Sequence, residues 1–533
     1  MSASAPQRDG HGTGPTSLLS NPRGWVVFLI SFGAVWIAHW PLLRLPYYWD
    51  EAGYYIPAAF DFFRTGSLIP FSTLSNAHPP LPSIYLAACW KLFGFSPFVT
   101  RSAMCLVAAL ALTAVWRIVL IASGRRAIAA TVVALTAIYP VFFAQSSLAH
   151  ADLFAAAGTL WALAFFVDGR RMWPAVLCFS LAALSKETAI ITPLALAAWQ
   201  VWLALRKHAA KCARISALLA LPVLPLALWY AYHWRRTGFI FGNPQYLRYN
   251  ATATLSPLRM LAALWHRTNQ ITLHMNMFVP VLLALACLLL DRIPERENAQ
   301  RSAIFRECRI IFFVVILANL VFFSVLGGAL LTRYLLPLYP LVILLCVHGW
   351  RTRLRHWPWF AAFSGAAFIT ALFVNPPYRF APEDNLAYRD TVRLQQDAIS
   401  QIVTRFPDET VLTAWPASDE LTKPELGYVS QRVGVMPIEN FSFAQIEDAA
   451  RSNRAYTVGL IFSTKYVPAR WSLTLGRANQ RMDARFFGFH RDLDPATIAR
   501  LLGGKIAWRE QRRGQWAAVL QFDRPQEARL AIP

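Results

Sequence analysis

Charge is scarce in this chain. Of its 533 residues only 15% are Asp, Glu, Lys or Arg, and just 29 are acidic, whereas a soluble domain carries roughly 25% charged residues. That argues against an ordinary soluble protein. Cysteine is scarce as well: seven, at 89, 105, 178, 212, 287, 308 and 346, with none beyond Cys346. No pair has metal-ligand spacing, so neither a disulfide framework nor a cysteine-built zinc site is expected. A glycine-rich phosphate loop, a nucleophile elbow and an internal repeat are all missing. The net charge of +22 is accompanied by no recognisable nucleic-acid module. Residues 1–375 carry +19 of it and residues 376–533 only +3, a distribution that suits membrane topology and anionic lipids rather than DNA or RNA.

What the chain has in abundance is apolar surface, 56% hydrophobic and 14% aromatic. About 20 apolar residues cross a bilayer as a helix. Eleven runs approach that length: 24–43, 98–122, 127–146, 150–167, 172–185, 188–205, 215–234, 271–290, 310–330, 334–350 and 357–374. The first is long and has no small-residue cleavage site, so it reads as a retained span behind a flexible, cytoplasmic segment 1–23. With the N-terminus inside, the basic clusters "GRR" (124–126), "DGRR" (168–171), "RKHAAKCAR" (206–214), "DRIPERENAQRSAIFRECR" (291–309) and "RTRLRH" (351–356) all face the cytoplasm, as cytoplasmic loops should. A twelfth span at "PLPSIYLAACWKLFGF" (80–95) would reverse that pattern, so this stretch is expected as a juxtamembrane helix in a long first outer loop.

Composition changes after "NPPYRF" (375–380). "DNLAYRDTVRLQQDAISQIVTRF" has a helical period, and "TVLTAW", "YTVGLIF" and "WAAVLQF" read as strands. The expected fold class is thus an all-α polytopic membrane domain of about 11 transmembrane helices, residues 24–375, followed by a small soluble α/β domain, residues 376–533. A multi-pass protein of the cell inner membrane with a periplasmic C-terminal domain follows. The sequons "NAT" (250–252) and "NFS" (440–442) decide nothing, since such triplets arise by chance.

The few ionisable residues near span boundaries carry the functional signal. "WDEAGYY" (49–55) puts Asp50 and Glu51 just outside the first span. Acids there commonly cap a helix, and Trp49 and the tyrosines commonly form an interfacial belt. "NAHPPLPSIY" holds His78, "SSLAHADLF" holds His150 and Asp152, "SKET" holds Lys186, and "TRYLLPLYP" holds Arg333. Each has a plain structural reading: a proline turn, a hydrogen-bonded histidine, a snorkelling arginine. Together they put acids and cations on the outer side, where guanidinium suits phosphate and intramembrane ionisable groups mark functional sites. A transporter or flippase would place such charges near the bilayer midplane, between repeated halves; a bare scaffold gives no reason to gather them.

"YYWDEAGYY", "HPPL" (78–81), "HAD" (150–152), "SKET" and "RYLLPLYP" (333–340), in this order and spacing, resemble the C-class membrane glycosyltransferases. The resemblance, over roughly residues 24–350, is to the family uniting dolichyl-phosphate-mannose–protein mannosyltransferases with aminoarabinose–lipid A transferases. It implies a polyprenyl-phosphate sugar donor, a lipid, protein or glycan acceptor outside the cytoplasm, and inversion at the anomeric carbon. It makes Asp50 the catalytic base with Glu51 beside it. His78, Lys186 and Arg333 are assigned to the donor phosphate, Asp152 and His150 to the acceptor or a metal. A divalent cation is compatible with this chemistry without being required by it. Two positions depart from the aminoarabinose enzymes: Ala77 replaces the acid before the motif's basic residue, and Gly53 replaces an arginine after the acid pair. Both count against aminoarabinose as the sugar. An oligosaccharide ligase or polymerase using a polyprenyl diphosphate is the alternative within the enzyme class.

Overall fold

The computed structural model describes residues 22–244, 255–296, 299–300, 304–326, 328–452, 456–466, 476–487 and 492–522. The N-terminal segment 1–21 and the sequon at Asn250 lie outside them.

Among the described residues six helices are long and apolar enough to cross a membrane: Gly24–Leu42, Pro97–Ser123, Ala151–Asp168, Glu187–Arg206, Ala210–Thr237 and Arg306–Val325. A seventh crossing is available if Pro257–Asn276 and Phe278–Cys287, bent by 98° at their junction, count as one. Other expected spans are shorter helices. The run 127–146 divides at Pro140 into Arg126–Ile138 and Pro140–Gln145, because proline lacks the N–H that would continue the ladder. The run 172–185 holds Trp173–Ala183, and the run 357–374 holds Trp357–Phe373. The run 334–350 begins in a 3₁₀ turn, Thr332–Leu335, before Tyr339–Arg353. The first loop carries two helices, Ile56–Thr65 and Leu81–Phe93.

Helix Pro97–Ser123 is the axis of the helical part. Most of its side chains are buried, and it packs on Pro22–His39, Arg126–Ile138 and Ala151–Asp168. Small residues permit the close approach: a Cβ added at Gly158 would come within 2.9 Å of the Ala182 Cβ on helix Trp173–Ala183, the arrangement by which membrane helices pack backbone to backbone.

The C-terminal part is a five-stranded sheet in the order Val435–Ile438, Val411–Ala414, Val458–Phe462, Gln515–Phe522, Gly504–Arg512. The first three are parallel and the last two antiparallel. The expected helix is Ala387–Arg405, which packs on the final hairpin. The three strand-like runs supply the three central strands, each almost wholly buried. The edge strands were not legible: Gly504–Arg512 is mostly polar and half-exposed, as edge strands tend to be.

The two parts are joined at the acid motif. The Tyr428 hydroxyl donates to the Tyr47 carbonyl at 2.9 Å, and Tyr48 packs against Tyr388, ring centroids 5.9 Å apart.

Candidate active site

The acid pair is split by the backbone. Trp49 adopts φ 48°, a region costly for a bulky residue, and a wide helical turn, Glu51–Tyr55, follows at once. Asp50 lines a cavity of about 900 Å³ between the helical and C-terminal parts. Glu51 points the other way and is wholly buried. Its carboxylate accepts from the backbone N–H groups of Ala149 at 2.6 Å and Tyr48 at 2.9 Å, and from both terminal nitrogens of Arg101 at 3.3–3.4 Å. Arg101, equally buried, also donates to the carbonyls of Leu45, Pro46 and Ser147. Burial raises the Glu51 carboxyl above its usual range, and Arg101 with the two N–H groups opposes it. Glu51 thus ties three chain segments together behind the cavity.

Arg333 is the hub of the site. Its Nε donates to Asp152 at 3.1 Å, one terminal nitrogen to Asp50 and the other to Glu383. Three carboxylates from three distant segments therefore share one guanidinium, whose planar fork suits several oxygens at once. Lys186 donates to the other oxygen of Asp152 and lies 3.9 Å from the centre of the Tyr334 ring, a cation–π contact. The structure therefore brings Asp50, Asp152, Lys186 and Arg333 together. Next to them, Asp384 accepts from the Thr332 hydroxyl and contacts His274 Nε2 at 2.9 Å.

The histidines sit to one side. His78 pairs with Glu187 at 2.8 Å and stacks on Tyr55, centroids 5.9 Å apart, beside a separate small cavity of about 30 Å³. His150 is fully buried. Its Nδ1 lies 2.7 Å from Gln145 Oε1, and its Nε2 has no partner among the described residues.

Glu383 and Asp384 were not singled out from the sequence, although "APED" repeats the adjacent-acid signature of "WDEA" just after the last apolar helix. Burial pushes the Glu383 carboxyl up to about 8; Arg333 opposes this, and Asp50, Asp384 and Asp152 add to it. Trp415 was missed too. It lines the cavity with Trp49 and Tyr54, at centroid distances of 5.2 and 5.8 Å. A Cβ at Gly53 would fall within 2.8 Å of three of its indole atoms, so only glycine fits there.

As a metal centre the arrangement is a poor fit. Asp50, Asp152 and Glu383 each give carboxylate oxygens to Arg333 or Lys186. Among the described residues no group of three or more His, Cys, Asp or Glu is disposed to hold an ion.

Residues 77–229 match the family model for dolichyl-phosphate-mannose–protein mannosyltransferases. No curated protein matches the chain by sequence. Two solved structures of ArnT from Cupriavidus metallidurans share the fold. The one bound to undecaprenyl phosphate has a TM-score of 0.54 and 14% identity, covering 94% of this chain and 98% of that one. The apo form has a TM-score of 0.55 and 15% identity, covering 93% and 98%. The chain is a multi-pass membrane protein with the fold of these transferases, and residues 77–229, in its first half, match the mannosyltransferase family model.

Proposed function

We propose that the protein is an inverting glycosyltransferase that moves a sugar from a polyprenyl phosphate to an acceptor outside the cytoplasm. One observation carries this reading: Asp50 and Arg333 face the same large cavity and touch each other there. The transfer needs a base for the acceptor hydroxyl and positive charge for the departing phosphate, and the cavity lining offers both. The acceptor oxygen attacks the anomeric carbon as the bond to the phosphate oxygen breaks. That oxygen keeps the electron pair, and the acceptor's proton passes to Asp50. Attack opposite the leaving group inverts the centre. Arg333 holds the phosphate, and Lys186 supplies the second positive charge through Asp152. Glu51 holds the motif in place from behind, and His78 with Glu187 borders the donor side.

The fold shared with ArnT, whose structure holds undecaprenyl phosphate, supports a lipid-phosphate donor. The one-sided basic clusters support a cell inner membrane, with the N-terminus in the cytoplasm and the C-terminal part in the periplasm. Lipid A, protein and polysaccharide all remain within the acceptor class. The test is transfer by the purified protein from a panel of undecaprenyl-phosphate sugars, with matched diphosphate donors alongside. Product from the monophosphates supports the reading; product only from the diphosphates makes the protein a ligase or polymerase. Glycolipid and glycoprotein mass spectrometry of a deletion strain would identify the acceptor.

A further inference from the structure

Arg333 is not free to take a phosphate as it stands, because all three of its donor groups are engaged by carboxylates. An incoming phosphate must share or displace them, and the three acids differ in what remains to each. Asp152 keeps Lys186. Asp50, with its side chain 20% exposed, lines the cavity and keeps contact with water. Glu383 borders the same cavity but has no second cation: its side chain is only 4% exposed, and among the described residues Arg333 is the sole side chain donating to its carboxylate. Apart from Arg333, the charged groups that act most strongly on it are acidic, although Arg379, Lys465 and His266 also line the cavity. Asp50 and Tyr48 come from the acid motif of the first loop, Asp152 from helix Ala151–Asp168 and Asp384 from its own turn, while Gln145 donates only to its backbone carbonyl, at 3.3 Å. Four acids here face two permanent cations, Arg333 and Lys186. A carboxylate stripped of its cation in such surroundings takes a proton rather than stay ionised.

We infer that lipid-phosphate binding at Arg333 is coupled to protonation of Glu383, which gives up the guanidinium and leaves Asp50 as the ionised base. Glu383 is thus a positioning residue, acting on the phosphate through Arg333. The proton compensates the charge that the phosphate brings, and Asp50, relieved of its ion pair, becomes a better proton acceptor. Burial already raises the Glu383 carboxyl to about 8 before any ligand arrives, so the uptake is read above pH 8, where the carboxylate is ionised until the phosphate takes its cation. This inference rests on the reading of Arg333 as the phosphate site.

The experiment is calorimetric titration of the full-length protein in detergent with undecaprenyl phosphate, in two buffers of different ionisation enthalpy above pH 8. The wild type is expected to take up close to one proton more per lipid bound than Glu383→Gln, a difference that cancels any proton exchanged by the lipid itself. Wild-type affinity should fall more steeply with rising pH than that of Glu383→Gln, by up to about tenfold more per unit. Equal proton exchange in the two proteins would overturn the inference while leaving the donor reading intact. Failure of the wild type to bind undecaprenyl phosphate would overturn both. Should Glu383→Gln not fold, a wild-type affinity that does not weaken above pH 8 would equally overturn the coupling.

Discussion

Trp415 stands over Gly53 so closely that no side chain can be added at that position without moving the indole. The two residues come from opposite ends of the chain, one beside the acid motif and the other at the end of a strand in the C-terminal sheet. A larger residue is thus excluded after the acid pair by packing: the Trp415 indole occupies the space that its side chain would need. Gly53→Ala should destabilise the protein by about 1–3 kcal/mol, as overpacking does, and disturb activity. Trp415→Ala in the same chain should recover part of the loss. Thermal unfolding of the two single variants and the double variant measures the coupling, and additive effects would show that the indole moves aside freely.

Much of this site was legible because ionisable residues are rare in the apolar half, so each one stood out. Asp50, Asp152, Lys186 and Arg333, which the fold brings into one cluster, could be marked on that ground alone. The family resemblance favoured Asp50 over Glu51, but composition and position alone could not separate them. Their opposite directions depend on the left-handed backbone at Trp49 and on Arg101, buried in a long apolar helix. Glu383 was hidden for a different reason: in the polar C-terminal region an acid is unremarkable until tertiary contacts place it on Arg333. The helical and strand periods survived into the structure where elements were long. Proline breaks and edge strands, whose patterns are short or polar, did not announce themselves.

The two neighbouring acids should fail in different ways. Asp50→Asn keeps shape but removes the proton acceptor and one of the three carboxylates on Arg333, so kcat should fall about 10²–10⁴-fold in a protein that still folds and binds the lipid. Steady-state transfer assays beside a thermal melt check this, and a wild-type rate in the folded variant would remove Asp50 from the mechanism.

Glu51→Gln should instead show itself as a stability defect. It leaves Arg101 charged, fully buried and without its carboxylate, and breaking a buried pair from one side costs about 3–5 kcal/mol. Low yield and a lowered melting temperature are expected, with kcat per folded molecule falling far less than in Asp50→Asn. A stable Glu51→Gln protein with abolished kcat would make Glu51 a chemical participant.

Glu383 also sets a pH dependence whose sign is fixed. Its carboxyl titrates near 8 in the folded chain and in the ordinary carboxylate range, about 4.3, when unfolded. Between those values the folded state holds a proton that the unfolded state has released, so stability falls as pH rises through that window. Glu383→Gln cannot ionise and should lose this contribution, leaving a flatter stability profile from about pH 5 to 8. Melts of both proteins across that range decide it, since the other buried acids are common to the two and cancel in the comparison. Parallel profiles would mean that Glu383 is already ionised in the folded protein across this range, held so by Arg333, and the proton taken up on phosphate binding would then be seen at neutral pH as well as above pH 8.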